Sequence, residues 1–192
     1  MGLARITTSA SPVTLEQMRA HLRLGSDTSE DELVQAYLDA ATDFIERETN
    51  QTLGTTMFRY TLDAFPDDDA DTIRLPNPPL IDVAEVSYVD RDGISRTLDT
   101  DDYTIDTGSM PGRIHLTGTR QWPATSDRPG CVEITFMAGY STGDLPPTLS
   151  AAVRLLAAQL FEQREAAHDR TITEVPFALR AIINQHRFVG CP

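Results

Sequence analysis

The hydrophobic period changes twice along this chain, and those changes constrain its fold more than any single motif. From Val13 to about Glu48, apolar residues recur at three- and four-residue spacing. From Thr56 to Tyr140 they alternate, and from Leu149 onward the helical spacing returns. The fold class expected is α+β: a helical core made by the N- and C-terminal helices, with an antiparallel β region inserted between them. The parts are residues 1–50 (helical), 51–146 (strand-rich) and 147–192 (helical, completing the core).

The start and stop signals sharpen this division. Residues 1–12 read as an extended arm. Thr14-Leu15-Glu16-Gln17 fits a capping box, with Val13 and Met18 at the staple positions, so a short helix is expected over about 15–23 with Gly25 as its stop. Ser29-Glu30-Asp31-Glu32 opens a second helix to about residue 48, with Leu33, Tyr37, Ala40/Ala41, Phe44 and Ile45 as its apolar stripe. Thr148 can cap a third, to about Glu165, whose stripe is Leu149, Ala152/Val153, Leu156 and Leu160. Ala167–Glu174 is polar and expected to be mobile. Val175-Pro176-Phe177 opens a last short helix.

Within the middle region, Phe58, Tyr60 and Leu62 alternate with polar neighbours, as do Ile134 and Phe136 in the long strand Val132–Tyr140. Val83–Val89 and Ile94–Leu98 flank Asp92-Gly93, a hairpin signal because the glycine supplies a positive φ. Trp122-Pro123 reads as a loop anchored against the sheet.

No catalytic or metal constellation emerges from these elements. His21, His115, His168 and His186 are scattered, and Cys131 and Cys191 form no ligand or disulfide framework. Asp67-Asp68-Asp69-Ala70-Asp71 and Asp90-x-Asp92-Gly93 have a calcium-loop flavour. They lack the distal Glu and fixed offsets such a loop needs, so a solvated loop and a plain turn are expected. No nucleophile elbow or phosphate-binding loop is present. The chain is therefore expected to be no enzyme and to need no cofactor or metal. No apolar run reaches the roughly 20 residues of a membrane span, and the N-terminus carries no export signal, so a soluble protein made in a cytoplasm is expected.

The net charge of −13 is uneven. From residue 151 onward five Arg stand against four acids, which leaves −14 on residues 1–150. A body that acidic repels phosphate, and tight nucleic-acid binding is disfavoured.

Pro12-Val13-Thr14-Leu15-Glu16-Gln17-Met18-Arg19-Ala20-His21-Leu22-Arg23 resembles the opening of the head–tail connector (adaptor) proteins of tailed bacteriophages and related gene transfer particles. The acidic Asp27–Glu32 and the helix after it continue the likeness. In order, Ile73-Arg74-Leu75-Pro76-x-Pro78-Pro79-Leu80, Val89-Asp90-x-Asp92-Gly93, Pro111-Gly112-Arg113-Ile114, Trp122-Pro123, Phe136-x-Ala138-Gly139-Tyr140 and Val175-Pro176-Phe177 extend it over nearly the whole chain. The resemblance implies a structural virion protein, assembled in the host cytoplasm. Its subunits would form a ring, typically twelve-fold, between portal and tail-side connector or terminator proteins, with DNA only in passage. Two other readings stand beside it: a carbohydrate- or host-binding β module using Trp122, Tyr103 and Tyr88 as exposed aromatics, and a hydrolase.

A partner interface is expected in the last segment, Thr171–Pro192, the one part that is not acidic. Phe177, Leu179, Arg180, Ile183, Arg187 and Phe188 are its candidate contacts, with aromatics as anchors and Arg pairing with acids of the portal or an adjacent subunit. Deleting residues 175–192 should then leave a soluble folded protein that no longer joins heads to tails. A terminal helix docked on its own domain is the alternative.

Overall fold

The computed structural model describes residues 1–7, 11–25, 28–66, 72–141, 143–163 and 177–189. The acidic run at 67–71, the polar segment 167–174, Val175-Pro176, His168 and Cys191 lie outside the described residues. Contacts divide the chain into two units, Met1–Ala10 with Gly54–Tyr140 and Ser11–Leu53 with Ser141–Pro192.

The first unit is built on two antiparallel sheets. Strands β1 (Gly2–Arg5), β2 (Thr56–Leu62), β4 (Leu80–Val89), β5 (Ser95–Thr97) and β8 (Val132–Ala138) form one, in the order β1-β2-β8-β4-β5. Strands β3 (Thr72–Arg74), β6 (Tyr103–Asp106) and β7 (Arg113–Leu116) form the other, in the order β3-β7-β6. Every second residue of β8 is buried, from Val132 through Ile134 and Phe136 to Ala138, so the alternation read from sequence sets the sheet's inner face. Phe58 stacks on Phe136 with ring centroids 5.6 Å apart. Ile73, Ile114 and Tyr103 of the smaller sheet belong to the same core cluster.

The N-terminal arm departs from expectation. Its first residues form β1, paired along β2 from Gly2↔Thr61 to Arg5↔Phe58, so residues 1–10 belong with the strands and not with the helical part. The arm has no alternation of its own, and its pairing partner alone makes it a strand.

The second unit comprises α1 (Leu15–Leu22), α2 (Asp31–Thr49), α3 (Pro147–Glu162) and α4 (Phe177–His186). Helix α2 packs along α3, and α4 packs on both. The capping box at Thr14 is formed: Gln17 N–H donates to Thr14 Oγ1 at 3.2 Å, and Thr14 N–H donates to Gln17 Oε1 at 3.0 Å. The other caps differ from expectation. Arg23, at φ 55°, ends α1 two residues ahead of Gly25. Glu30, not Ser29, stands at the N-cap of α2, with no side-chain capping bond. Pro147 opens α3, where proline's missing N–H costs nothing, and Thr148 instead bonds His186.

The apolar stripe of α2 holds at Ala41 and Ile45 but is offset by one residue in its first half. Val34, Leu38, Ala41 and Ile45 are buried, whereas Leu33 is 37% exposed and Tyr37 sits at the border, edge-on to Phe161. In α3 the buried line is Leu149, Ala152, Val153 and Ala157, with Leu156 and Leu160 half-buried.

Candidate functional site

Three of the sequence motifs converge on one end of the strand-rich unit, and they do so through backbone. Leu75 N–H donates to Gly112 O at 2.8 Å, and Gly139 N–H donates to Pro79 O at 2.8 Å. Gly139 sits at φ 111°, a conformation that glycine adopts without strain. A Cβ on Gly112 would lie 2.3 Å from Leu80 Cβ, so this backbone packs directly on a core side chain. The motifs are thus fold-making contacts between neighbouring loops, with no reactive group among them.

The remaining chemical candidates resolve likewise. Asp90 Oδ1 accepts from Asp92 N–H at 3.0 Å and Ile94 N–H at 2.9 Å, and its Oδ2 accepts from Arg96 Nε at 2.5 Å. The Arg96 guanidinium, followed by the Ile94 amide, holds this carboxyl below the usual carboxylate range. It builds the turn at Gly93, whose φ is 80°. His115 Nδ1 pairs with Thr72 Oγ1 across the strands at 2.8 Å. Cys131 is buried as a free thiol. Among the described residues, no three His, Cys, Asp or Glu side chains come together as a metal would require, and no helix is long and apolar enough to cross a membrane.

A depression of about 740 Å³ opens beside Tyr60, Phe65, Thr72, Arg74 and Arg113, and no His, Cys, Asp or Glu is among its described lining residues. The aromatic residues considered for carbohydrate binding are not an exposed platform. Tyr103 is 6% exposed, Trp122 stacks on Phe65 at 4.8 Å, and Tyr88 meets Phe65 edge-on at 5.6 Å.

The C-terminal candidates split into two groups. Leu179 and Ile183 are 1% and 4% exposed, used in the helical unit's own core. Their burial leaves less surplus apolar surface on this segment than expected. Arg180 faces outward from α4, beside the exposed Ala181 and Asn184. Phe177 opens α4, and its side chain lies outside the described residues.

The residues after α4 serve α2. The last carbonyls of a helix have no intrahelical donors, and here Arg187 Nε donates to Glu48 O at 2.9 Å while Phe188 N–H donates to Thr49 O at 2.7 Å. Arg187 Nη2 also lies 3.3 Å from Glu48 Oε2. In return, Asn50 Nδ2 donates to Phe188 O at 3.0 Å, and Gln51 Nε2 donates to His186 O. Thr148 Oγ1 meets His186 Nε2 at 2.7 Å. The long-range cap on α2 escaped sequence reading because its partners lie 135 to 139 residues apart in the chain, with no local signature.

The residues of these motifs shape turns and hold neighbouring loops together. The family model described as phage gp6-like head-tail connector protein matches residues 12–98 and 130–187, and the chain belongs to that family. It is a head–tail connector, a structural protein of the virion's head–tail junction. The unmatched stretch 99–129 contains Pro111–Ile114 and Trp122-Pro123, two of the motifs that carried the resemblance.

Three solved structures are similar over 100% of this chain and 98% of their own. They are described as the neck of an empty GTA particle computed with C6 symmetry (31% identity, TM-score 0.81), the virion of a native gene transfer agent (GTA) particle (32%, 0.79) and the neck of a native GTA particle computed with C12 symmetry (30%, 0.77). No match is found among curated proteins.

Proposed function

We propose that this connector assembles as a twelve-fold ring, seated between the portal and the tail-side connector or terminator proteins, with DNA passing through its bore and no catalytic step. The observation that carries this reading is the full-length likeness to a native particle neck computed with C12 symmetry. A twelve-fold ring also satisfies six-fold averaging, so the C6 neck of the empty particle is compatible with the same count. The charge supports passage without capture: residues 1–150 carry −14, which provides no counterion release against phosphate.

Within this reading, the docking contact lies on the outward side of α4, with Arg180 as the charged anchor and Phe177 at its start. Leu179 and Ile183 support that surface from beneath. Arg187 and Phe188 hold the helix in position by capping α2.

The test is deletion of this gene in a particle-producing strain. DNA-filled heads and separate tails should accumulate, joined again when the intact gene is supplied. Normal joining without the protein would overturn the proposal. Salt-sensitive, submicromolar binding of duplex DNA to the purified protein would contradict free passage.

A further inference from the structure

Two arginines of the strand-rich unit face each other with no acid between them. Arg74 of β3 and Arg113 of β7 are directly opposite in the ladder, and both line the depression of about 740 Å³. Directly opposed residues of an antiparallel pair have Cβ atoms roughly 5 Å apart, and like charges there are destabilising. Arg113 Nε is also buried with no hydrogen-bond partner, and a buried donor left unsatisfied adds a second cost.

On its other side Arg113 stands opposite Asp106 of β6. That carboxyl is held low first by the Ser109 hydroxyl and least by the Arg113 charge. Its oxygens accept from Ser109 Oγ at 2.5 Å and from the Gly108 amide at 3.0 Å, so they are used within their own turn. Among the described residues, neither Arg74 nor Arg113 has an ion-pair partner. The chain holds 29 Asp and Glu against 16 basic residues, so two uncompensated arginines side by side run against its composition.

The walls narrow what fits. Leu62, Phe65 and Ile73 line the same depression. Its volume of about 740 Å³ admits several side chains, against roughly 30 Å³ for a water-sized group. Apolar walls beside a charged pair suit the stem and head of an Asp or Glu side chain, and a guanidinium fork takes a carboxylate bidentately. A hydrated phosphodiester gains little from those walls, and the −14 on residues 1–150 repels it.

We propose that the Arg74–Arg113 depression receives an acidic segment of the neighbouring copy of this chain. The inference rests on the ring reading above. A cyclic ring repeats one heterologous contact at every junction. Copies that each carry −13 repel one another, and a contact that sets acid against arginine offsets that repulsion where they meet. A carboxylate placed between the two guanidinium groups also relieves their mutual repulsion and gives the buried Nε an acceptor.

The experiment uses whole particles. Ala64 is exposed and lines the depression, and a photo-crosslinking amino acid replaces it. Particles are purified and irradiated, and the products are identified by mass spectrometry. Crosslinks from this position to an Asp- or Glu-bearing segment of a second copy are expected. Crosslinks to a different protein, crosslinks only within one chain (to the acids of 67–71, for example), or none although the chain is present in the particles would overturn the proposal.

A charge reversal supplies an independent reading. Arg74→Glu sets an acid directly opposite Arg113, which should keep or raise the melting temperature while closing the site to an outside carboxylate. The yield of tailed particles should fall about tenfold or more. An Arg74→Glu protein that melts normally and assembles normally would refute the contact, and if it melts low the crosslink decides alone. Duplex DNA held by the unaltered protein and released by Arg74→Glu would mark a phosphate site and overturn the proposal as well. Image averages of the same necks separate the two levels. A ring without the copy-to-copy crosslink sinks this inference alone, whereas necks without cyclic symmetry sink the ring reading.

Discussion

The strand-rich unit and the helical unit are organised by different kinds of contact. In the first, one continuous core cluster runs through both sheets, and β8, flanked by β2 and β4, has every second side chain in it. In the second, the core is a seam between helices, closed by a terminal helix whose last residues cap α2. The strand-rich unit therefore depends most on a few central side chains. The helical unit depends on long-range closure by α4, and that helix also carries the surface proposed for docking.

The largest effect expected is at the centre of the strand-rich core. Phe136 is fully buried and stacked on Phe58. Phe136→Ala should cost about 3–5 kcal/mol, the range for deleting a buried aromatic. Trp122 is the single tryptophan and packs on that cluster, so its fluorescence reports this unit. The denaturant midpoint by fluorescence should fall further than the midpoint by helical circular dichroism. Equal shifts in both signals would break the comparison between the units.

Leu179→Ala is the counterpart in the helical unit and should cost about 2–5 kcal/mol, because Leu179 is 1% exposed. Here the dichroism signal should move first. Arg180→Glu sharpens the distinction between closure and docking. Its exposed position predicts a stability change within about 0.5 kcal/mol, while the joining of heads to tails should fall. If Leu179→Ala leaves stability untouched, α4 is not the closing element described.

How much of this was legible beforehand follows the geometry of each element. The inner face of β8 was readable because a strand's period of two permits only one assignment once Ile134 and Phe136 are placed. In α2, Ala41 and Ile45 were placed on the buried face, but its first half was offset because adjacent helix positions such as Leu33 and Val34 flank the same broad face, and only packing selects Val34 and Leu38. Strand β1 could not be seen, since four exposed residues without alternation acquire their identity from β2. The roles of Arg187 and Phe188 depended on Glu48 and Thr49, far away in sequence. Leu179 and Ile183 were grouped with Arg180 because sequence does not say which side of a short helix is already covered.

A smaller effect tests the motif junction. Gly112→Ala should cost about 1–3 kcal/mol, since the new methyl would press on Leu80 at a distance real structures do not tolerate. Calorimetry can measure it, and fluorescence should follow because Leu80 belongs to the strand-rich core. A neutral result would mean that the loops carrying Leu80 and Gly112 can separate freely, and that these motifs are not tight fold-making contacts.

The smallest expected effect is on acidification, and it too divides the units. Three carboxylates of the strand-rich unit are held below their ordinary value of 3.8: Asp63 by the Gly130 amide and then the Met1 amine, Asp90 by Arg96, and Asp106 by the Ser109 hydroxyl. A carboxyl whose folded pKa is depressed binds protons more readily when unfolded. Its contribution is therefore fully present above 3.8 and disappears as pH falls through the lower folded value. Asp63 is solvent-exposed and Asp90 and Asp106 are partly so, and screening keeps each contribution modest. As pH is lowered past 3.8, Trp122 fluorescence should report loosening before the helical dichroism signal declines, and Asp90→Asn should reduce the acid dependence of that fluorescence transition. Loss of helical signal first, or an unchanged acid profile in Asp90→Asn, would show that these turn carboxylates do not set the strand-rich unit's response to acid.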